Sequence, residues 1–237
     1  GSLGGFFLPG YNLASDSVYN ITLTPRLQFS MVQLNPQNAR VTDTISASFN
    51  VSTQVDGPPP PCCDPQPPGD PITGLGDGLF TVWLHNWGAE PQGANWWETH
   101  SVNQYHQDLS ANVTVVEGNP GSYSFTFSVP SSMNITGGWM DLEVRIGNNG
   151  GWAGLQLGSA SAVKLSGWVK LTNGTSVSDV GVGLWNPSTQ RGSWGNTNGS
   201  GYFSLIAEPG TYNIDAWPQG GSLGGFFLPG YNLASDS

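Results

Sequence analysis

Charge is scarce in this chain. Lys, Arg, Asp and Glu make up only 9% of its 237 residues, against roughly 25% in a typical soluble protein. Six of the charged residues are basic and sixteen acidic, for a net charge of −10. No basic stripe follows from that balance, which excludes nucleic acid as a partner class. Cysteine is almost absent: Cys62 and Cys63 stand side by side in GPPPPCCDPQPPGDP. Neighbouring cysteines cannot staple distant parts of one fold through their own bond, because that bond closes no loop between them. No run approaches the roughly 20 apolar residues of a membrane-spanning helix, and no signal-peptide pattern is found. The chain also lacks a P-loop and a nucleophile elbow set between strand and helix, and no enzyme or cofactor is expected. Asp141 and Glu143 share a strand face that reads as solvated, and the acidic turns at Asp70 and Asp77 have no EF-hand-like run around them.

What the chain has is apolar alternation. Hydrophobic residues make up 37%, and ten Trp are present, enough to build packed cores despite the polar bulk. Phe80, Val82 and Leu84 fall on one face of a period-two pattern. So do Tyr123, Phe125, Phe127 and Val129, and likewise Met140, Leu142, Val144 and Ile146, with Asp141, Glu143 and Arg145 opposite. Val180, Val182 and Leu184 repeat the pattern, then Tyr212, Ile214 and Ala216. Turn signals such as EGNPGS, TNGTS, TNGSG and AEPGT separate them. Short alternating strands punctuated by Gly, Pro and Asn predict an all-β chain of antiparallel sandwiches. Trp96–Ser110 is the only candidate for a short helix.

The surface is expected to carry sugar. Six N-x-S/T sequons occur, at Asn20, Asn50, Asn112, Asn134, Asn173 and Asn198. Strand parity points Asn20, Asn50 and Asn112 outward, and Asn134, Asn173 and Asn198 sit among turn residues. An Asn-, Ser- and Thr-rich chain makes sequons by chance as well, yet N-glycosylation and an extracellular place fit the low charge.

Two domains are expected. Residues 25–160 form the first sandwich, with long loops at 56–79 and 85–108. The stretch GSYSFTFSVPSSMNITGGWMDLEVRIG resembles the late hairpin of immunoglobulin-like domains. Residues 161–220 form the second. The pieces LSGWV, VSDVGVGLWN, TNGSGYFSL and EPGTYNIDAW, within residues 165–217, resemble a carboxypeptidase regulatory-like domain of the transthyretin type. That resemblance implies a rigid accessory β-sandwich without catalytic residues.

The first seventeen residues, GSLGGFFLPGYNLASDS, return as residues 221–237 at an offset of 220. Self-similarity at a fixed period is the mark of a repeat array; an artificial duplication is the alternative. Residues 1–17 are read as a connector and 221–237 as the start of a next repeat. After residue 17 the chain enters Val18–Thr24, where Val18, Tyr19, Ile21 and Leu23 form an apolar strand expected to complete the second sandwich of the preceding unit. Such an open edge invites another strand, supplied by covalent continuation or by strand exchange between subunits. Seventeen extended residues reach about 56 Å.

Two further sites are candidates. Cys62 and Cys63 sit in a proline-stiffened arm suited to projecting contacts. They would form a local ring, a crosslink to another unit, or inert thiols. Trp83–His106 holds four Trp and all three His. Trp87, Trp96 and Trp97 are read as an inter-unit contact or a sugar platform, and His85, His100 and His106 as weak metal ligands without a tight motif. Together these features predict a structural subunit or tandem repeat of a glycosylated extracellular filament, with copies of itself as partners. The alternatives are a carbohydrate-binding adhesin module, or an accessory region of a secreted hydrolase.

Overall fold

A computed structural model of the chain describes residues 26–54, 68–90, 102–135, 138–218 and 224–236. Among these residues the chain is all-β, with sixteen strands, three single 3₁₀ turns and no α-helix. The strands form two sandwiches in series.

The first sandwich faces two sheets. In one, β4 (Thr44–Thr53) pairs with β8 (Ser122–Ser128) on one side and with β1 (Leu27–Phe29) and β2 (Gln33–Asn35) on the other, while β7 (Val116–Glu117) lies outside β8. The second sheet runs in the order β3 (Asn38–Arg40), β10 (Asn149–Gly158), β9 (Trp139–Ile146), β5 (Thr81–His85) and β6 (His106–Asp108). Every pairing is antiparallel except β3 with β10. Because side chains alternate across a strand, the apolar parity of the sequence becomes the core: Ile45, Ala47, Phe49 and Val51 meet Tyr123, Phe125 and Phe127, and against them pack Val82, Leu84, Met140, Leu142 and Val144. Phe49 is the hub. Its ring lies 5.8 Å from Phe29, 5.7 Å from Phe80, 5.9 Å from Tyr123 and 6.4 Å from Phe125, within the range where aromatic pairs add to plain burial.

Of the expected long loops 56–79 and 85–108, residues 68–79, 85–90 and 102–108 are described. Within 56–79, Ile72 N–H donates to the Val51 carbonyl at 2.9 Å and the Tyr123 hydroxyl donates to the Ile72 carbonyl at 2.8 Å. The segment 85–108 begins and ends in the paired strands β5 and β6, so its ends are sheet, not loop. The described part of the helix candidate 96–110 is β6 and the start of the 3₁₀ turn Ser110–Asn112. Polar residues hid the strand, since an edge strand with one partner needs little apolar alternation.

The second sandwich faces a two-stranded sheet, β11 (Val163–Trp168) with β14 (Tyr202–Ala207), against a four-stranded one. The latter runs β13 (Arg191–Asn196), β12 (Val180–Asn186), β15 (Gly210–Pro218) and β16 (Phe226–Leu233). Val163, Leu165, Val182, Leu184, Leu205, Tyr212 and Leu233 close its core.

The segment 221–237, read from the sequence as the start of a next repeat and identical to the connector 1–17, contains the strand β16. This segment pairs antiparallel with β15 over Phe226–Leu233. The edge beside β15 is therefore held by the repeated segment itself. Pro229 and the adjacent Gly230 in FFLPGYNL disguise it. Pro229 and Gly230 together face the single residue Asn213, a bulge that absorbs both, and Gly230 takes a φ of +72°. Proline lacks a ladder donor but is tolerated on an edge strand, and among the described residues β16 is one. The expected strand Val18–Thr24 lies outside the described residues.

The two sandwiches meet along β3 and β14. Asn38 Nδ2–H donates to the Ser204 carbonyl at 3.0 Å, and Arg40 Nε–H to the Ala162 carbonyl at 2.6 Å. Glu208 accepts from the Ser159 backbone at 3.0 Å and from its hydroxyl at 2.8 Å. An added Cβ on Gly158 would meet Ala162 at 2.5 Å and Ile206 at 3.2 Å, so the joint is packed to backbone distance.

Candidate functional site

Three surfaces carry chemistry, and the first is the seat of β16. Its inner residues Leu233 and Tyr231 face the core beside Gly210 and Tyr212, and Leu233 is only 1% exposed. Gly230 N–H donates to Asn213 Oδ1 at 3.2 Å, pinning the bulge. Three residues past Leu233, Asp236 makes two bonds with one oxygen. Its Oδ1 accepts from Lys164 N–H on β11 at 2.9 Å, and it also takes the Arg40 guanidinium of the first sandwich. These donors hold the Asp236 carboxyl below the usual carboxylate range, the Arg40 bond contributing most. Asp236 thus ties the end of the segment to both sandwiches. At the other end Phe226, Phe227 and Leu228 stay 56%, 63% and 40% exposed.

The second surface is the outer face of β9, which the sequence reading left to solvent. Glu143 is 3% exposed there. Cross-strand neighbours explain the cover: Trp83 on β5 and Trp152 on β10 stand directly opposite Glu143, and His85 stands opposite Asp141. Burial raises the Asp141 carboxyl above its ordinary value, partly offset by His85. A chain of close polar contacts runs across this layer. His85 Nε2 lies 3.3 Å from Glu143 Oε2, and His85 Nδ1 lies 2.9 Å from His106 Nδ1. His106 Nε2 lies 3.0 Å from Glu90 Oε1. Trp87 closes over the pair, with ring centroids 4.7 Å from His85 and 4.6 Å from His106.

A bond between two Nδ1 atoms needs one donor and one acceptor. Two imidazolium rings would aim N–H at N–H, so the pair tolerates at most one. Burial pushes His106 below its ordinary value of 6.5, against the upward pull of Glu90. The two nitrogens satisfy each other instead of converging on a common point. No group of three or more His, Cys, Asp or Glu among the described residues has the arrangement of a metal site. His85, His106 and Trp87 of the sequence candidates do come together; His100, Trp96, Trp97, Cys62 and Cys63 lie outside the described residues. Glu90 stands in the same stretch of sequence as the three histidines; Glu143 lies far from it in the chain, and only the pairing of β5 with β9 brings it beside His85.

The third surface was not anticipated. On the outer face of the four-stranded sheet stand Trp185, Trp194, Trp217 and Phe227, 45%, 57%, 41% and 63% exposed. Their floor is Gly181 and Gly183, where an added Cβ would run into the Trp217 indole, and into Asp215 as well at Gly183. The glycines let the indole lie flat on the sheet. The available signal is Gly and Trp sharing one parity along β12 (Gly181, Gly183, Trp185) and β13 (Gly192, Trp194).

Of the sequons, Asn50, Asn112, Asn173 and Asn198 are exposed and Asn134 is half-buried, while Asn20 lies outside the described residues. Asn50 faces outward from β4 as its parity predicts. Asn112 ends a 3₁₀ turn instead of lying in a strand, because Leu109 accepts its backbone N–H at 2.8 Å. Asn173 and Asn198 use Oδ1 to accept backbone N–H groups two residues on, at 3.0 Å each, as Asx turns do.

No family model matches the chain, and no curated protein does. Among solved structures it is similar to a DUF4785 family protein from Legionella pneumophila, with a TM-score of 0.31 and 10% identity over 84% of this chain. It spans 55% of that protein's length. It is also similar to the Bacillus anthracis TIE protein, with a TM-score of 0.25 and 9% identity over 92% of this chain and 40% of the other. A third likeness is to the major pilin subunit BcpA of Bacillus cereus, with a TM-score of 0.23 and 8% identity over 90% of this chain and 68% of that one. At such scores the fold is read from the chain's own sheets: an all-β protein of two sandwiches built chiefly from antiparallel strands.

Proposed function

We propose that this chain is a non-catalytic structural unit of a glycosylated extracellular filament, in which units join head to tail and a strand of one completes a sheet of the next. One observation carries this reading. The sequence that fills the edge beside β15 occurs twice, at opposite ends of 220 residues. A contact between unlike surfaces of identical units propagates as an open filament unless it closes into a ring. Four exposed sequons and low charge support an outer surface dressed in N-glycans. The finer likeness of residues 165–217 to a carboxypeptidase regulatory-like module belongs to the same reading, as a rigid link in a load-bearing series. So does the strand Val18–Thr24, which follows the N-terminal copy directly. Negative-stain microscopy of the concentrated protein tests it. Fibres with an axial repeat of two sandwiches are expected; discrete particles at every concentration would overturn it.

The Trp185, Trp194, Trp217 and Phe227 face favours a second reading, a carbohydrate-binding adhesin module. Flat aromatic faces stack on the C–H faces of sugar rings, and Asp215 with Asn213 on the same sheet face offers hydrogen bonds to hydroxyls. Affinity electrophoresis in polysaccharide gels distinguishes it. Retardation abolished by Trp194→Ala with Trp217→Ala supports this reading, and equal mobility of wild type and variant with or without polysaccharide removes it.

A further inference from the structure

The pairing of β16 with β15 defines an acceptor, and its occupant is a portable sequence. We propose that this acceptor binds residues Phe6–Asp16 of a second copy of the chain, in the place that Phe226–Asp236 holds here. The inference rests on the filament reading and names its joint.

Phe6–Leu13 repeats Phe226–Leu233 letter for letter, and Asp16 stands where Asp236 does. Every contact that holds the C-terminal copy is therefore open to the N-terminal one. The ladder to β15 is main-chain bonding, which any strand of that register makes. Three side-chain features give specificity: Leu233 filling the core, the Pro229–Gly230 bulge opposite Asn213, and Asp236 between Lys164 N–H and Arg40. A slipped register would break all three at once.

Two equal segments compete for one acceptor, so connectivity decides which wins. The C-terminal copy follows β15 after a short link, at an effective concentration on the order of millimolar. The N-terminal copy of another molecule must match that by abundance. Contacts being equal, the preference for the in-chain copy is one of concentration alone, and modest damage to that copy reverses it. The acceptor spans both sandwiches through Asp236, so a seated segment also fixes the angle between them. That property suits a joint that transmits force.

The test uses the full chain. Leu233→Asp with Asp236→Ala damages only the in-chain copy, and light-scattering mass is measured after size exclusion. Expected are concentration-dependent oligomers of at least twice the monomer mass. An excess of the synthetic peptide GSLGGFFLPGYNLASDS should return them to monomer. Adding Leu13→Asp and Asp16→Ala to the same chain should abolish assembly. A monomeric variant, or oligomers that survive the four substitutions, would overturn the proposal. In case the variant fails to fold, the wild-type chain is incubated with the fluorescent peptide. Slow uptake seen as a rise in anisotropy, competed by unlabelled peptide, supports the acceptor; no uptake overturns it. The two ideas separate cleanly. Wild-type fibres with a monomeric variant keep the filament and sink this joint. An assembling variant with no fibres from any chain keeps the joint and sinks the filament.

Discussion

The two sandwiches close their cores in different ways. The first draws every core strand from residues between Leu27 and Gly158, and its centre is an aromatic cluster around Phe49. The second has a smaller, mainly aliphatic core and takes one of its members, Leu233, from a segment that the chain carries twice. Their outer faces differ in the opposite sense. The first hides carboxylates and histidines under Trp83, Trp87 and Trp152; the second leaves its tryptophans open on a glycine floor. The contrast separates a body closed by strands that occur once from a body completed by a segment whose sequence occurs twice.

The comparison breaks first at the cores. Phe49→Ala removes the hub of the aromatic cluster, and a loss of about 3–5 kcal/mol is expected in denaturant unfolding. Added GSLGGFFLPGYNLASDS peptide should not restore it, since the described part of that segment pairs with β15 and packs into the other core. Leu233→Ala should cost about 2–5 kcal/mol, yet the same peptide in excess should recover much of the loss by mass action. Rescue of the second and not of the first is the sharpest form of the contrast. Equal rescue, or none in either, would erase it.

A smaller effect comes from the buried histidine pair. His106 is held below 6.5 in the folded chain, so unfolding takes up a proton as acid is added. The stabilisation from the neutral ring is complete above about 6.5 and is lost as pH falls through the lower folded value. Each pH unit in that window should remove about 1.4 kcal/mol at most. His106→Gln should flatten this slope in thermal melts monitored between neutral and mildly acid pH. The second sandwich holds no described histidine, so peptide binding there should keep its affinity over the same range.

Most of the architecture was legible because period-two alternation is a direct imprint of a sheet with one buried face. Val82, Leu84, Phe125 and Leu142 sit where their parity placed them. The misreadings share one cause, a local signal overruled by a neighbour strand. Asp141, Glu143 and Arg145 look solvated along β9, but the Trp and His opposite them on β5 and β10 cover Glu143. FFLPGYNL shows no period-two alternation, but an edge position and a bulge accommodate Pro229 and Gly230. His85 and His106 meet only because β5 and β6 pair in register, a fact that spacing alone does not contain. The repeat itself was plain from the letters; its role as a strand required knowing which edge lay beside it.

The least visible change in a melt should come from Asp236, and its readout is kinetic. The carboxylate is exposed, and exposed ion pairs contribute little to stability because water screens them. Asp236→Asn should therefore leave the melting curve unchanged within error. The bond to Lys164 N–H survives in the amide oxygen, while the Arg40 attraction weakens. If that attraction holds the end of β16 against exchange, uptake of the fluorescent peptide should quicken severalfold, and high salt should speed the wild type toward the variant. Acid should act the same way only below the usual carboxylate range, because Arg40 and the backbone donor keep Asp236 ionised through mildly acid pH. Unchanged exchange in Asp236→Asn would assign the hold on the segment to Leu233 and the ladder, and would leave the second sandwich with a strand selected by shape rather than by charge.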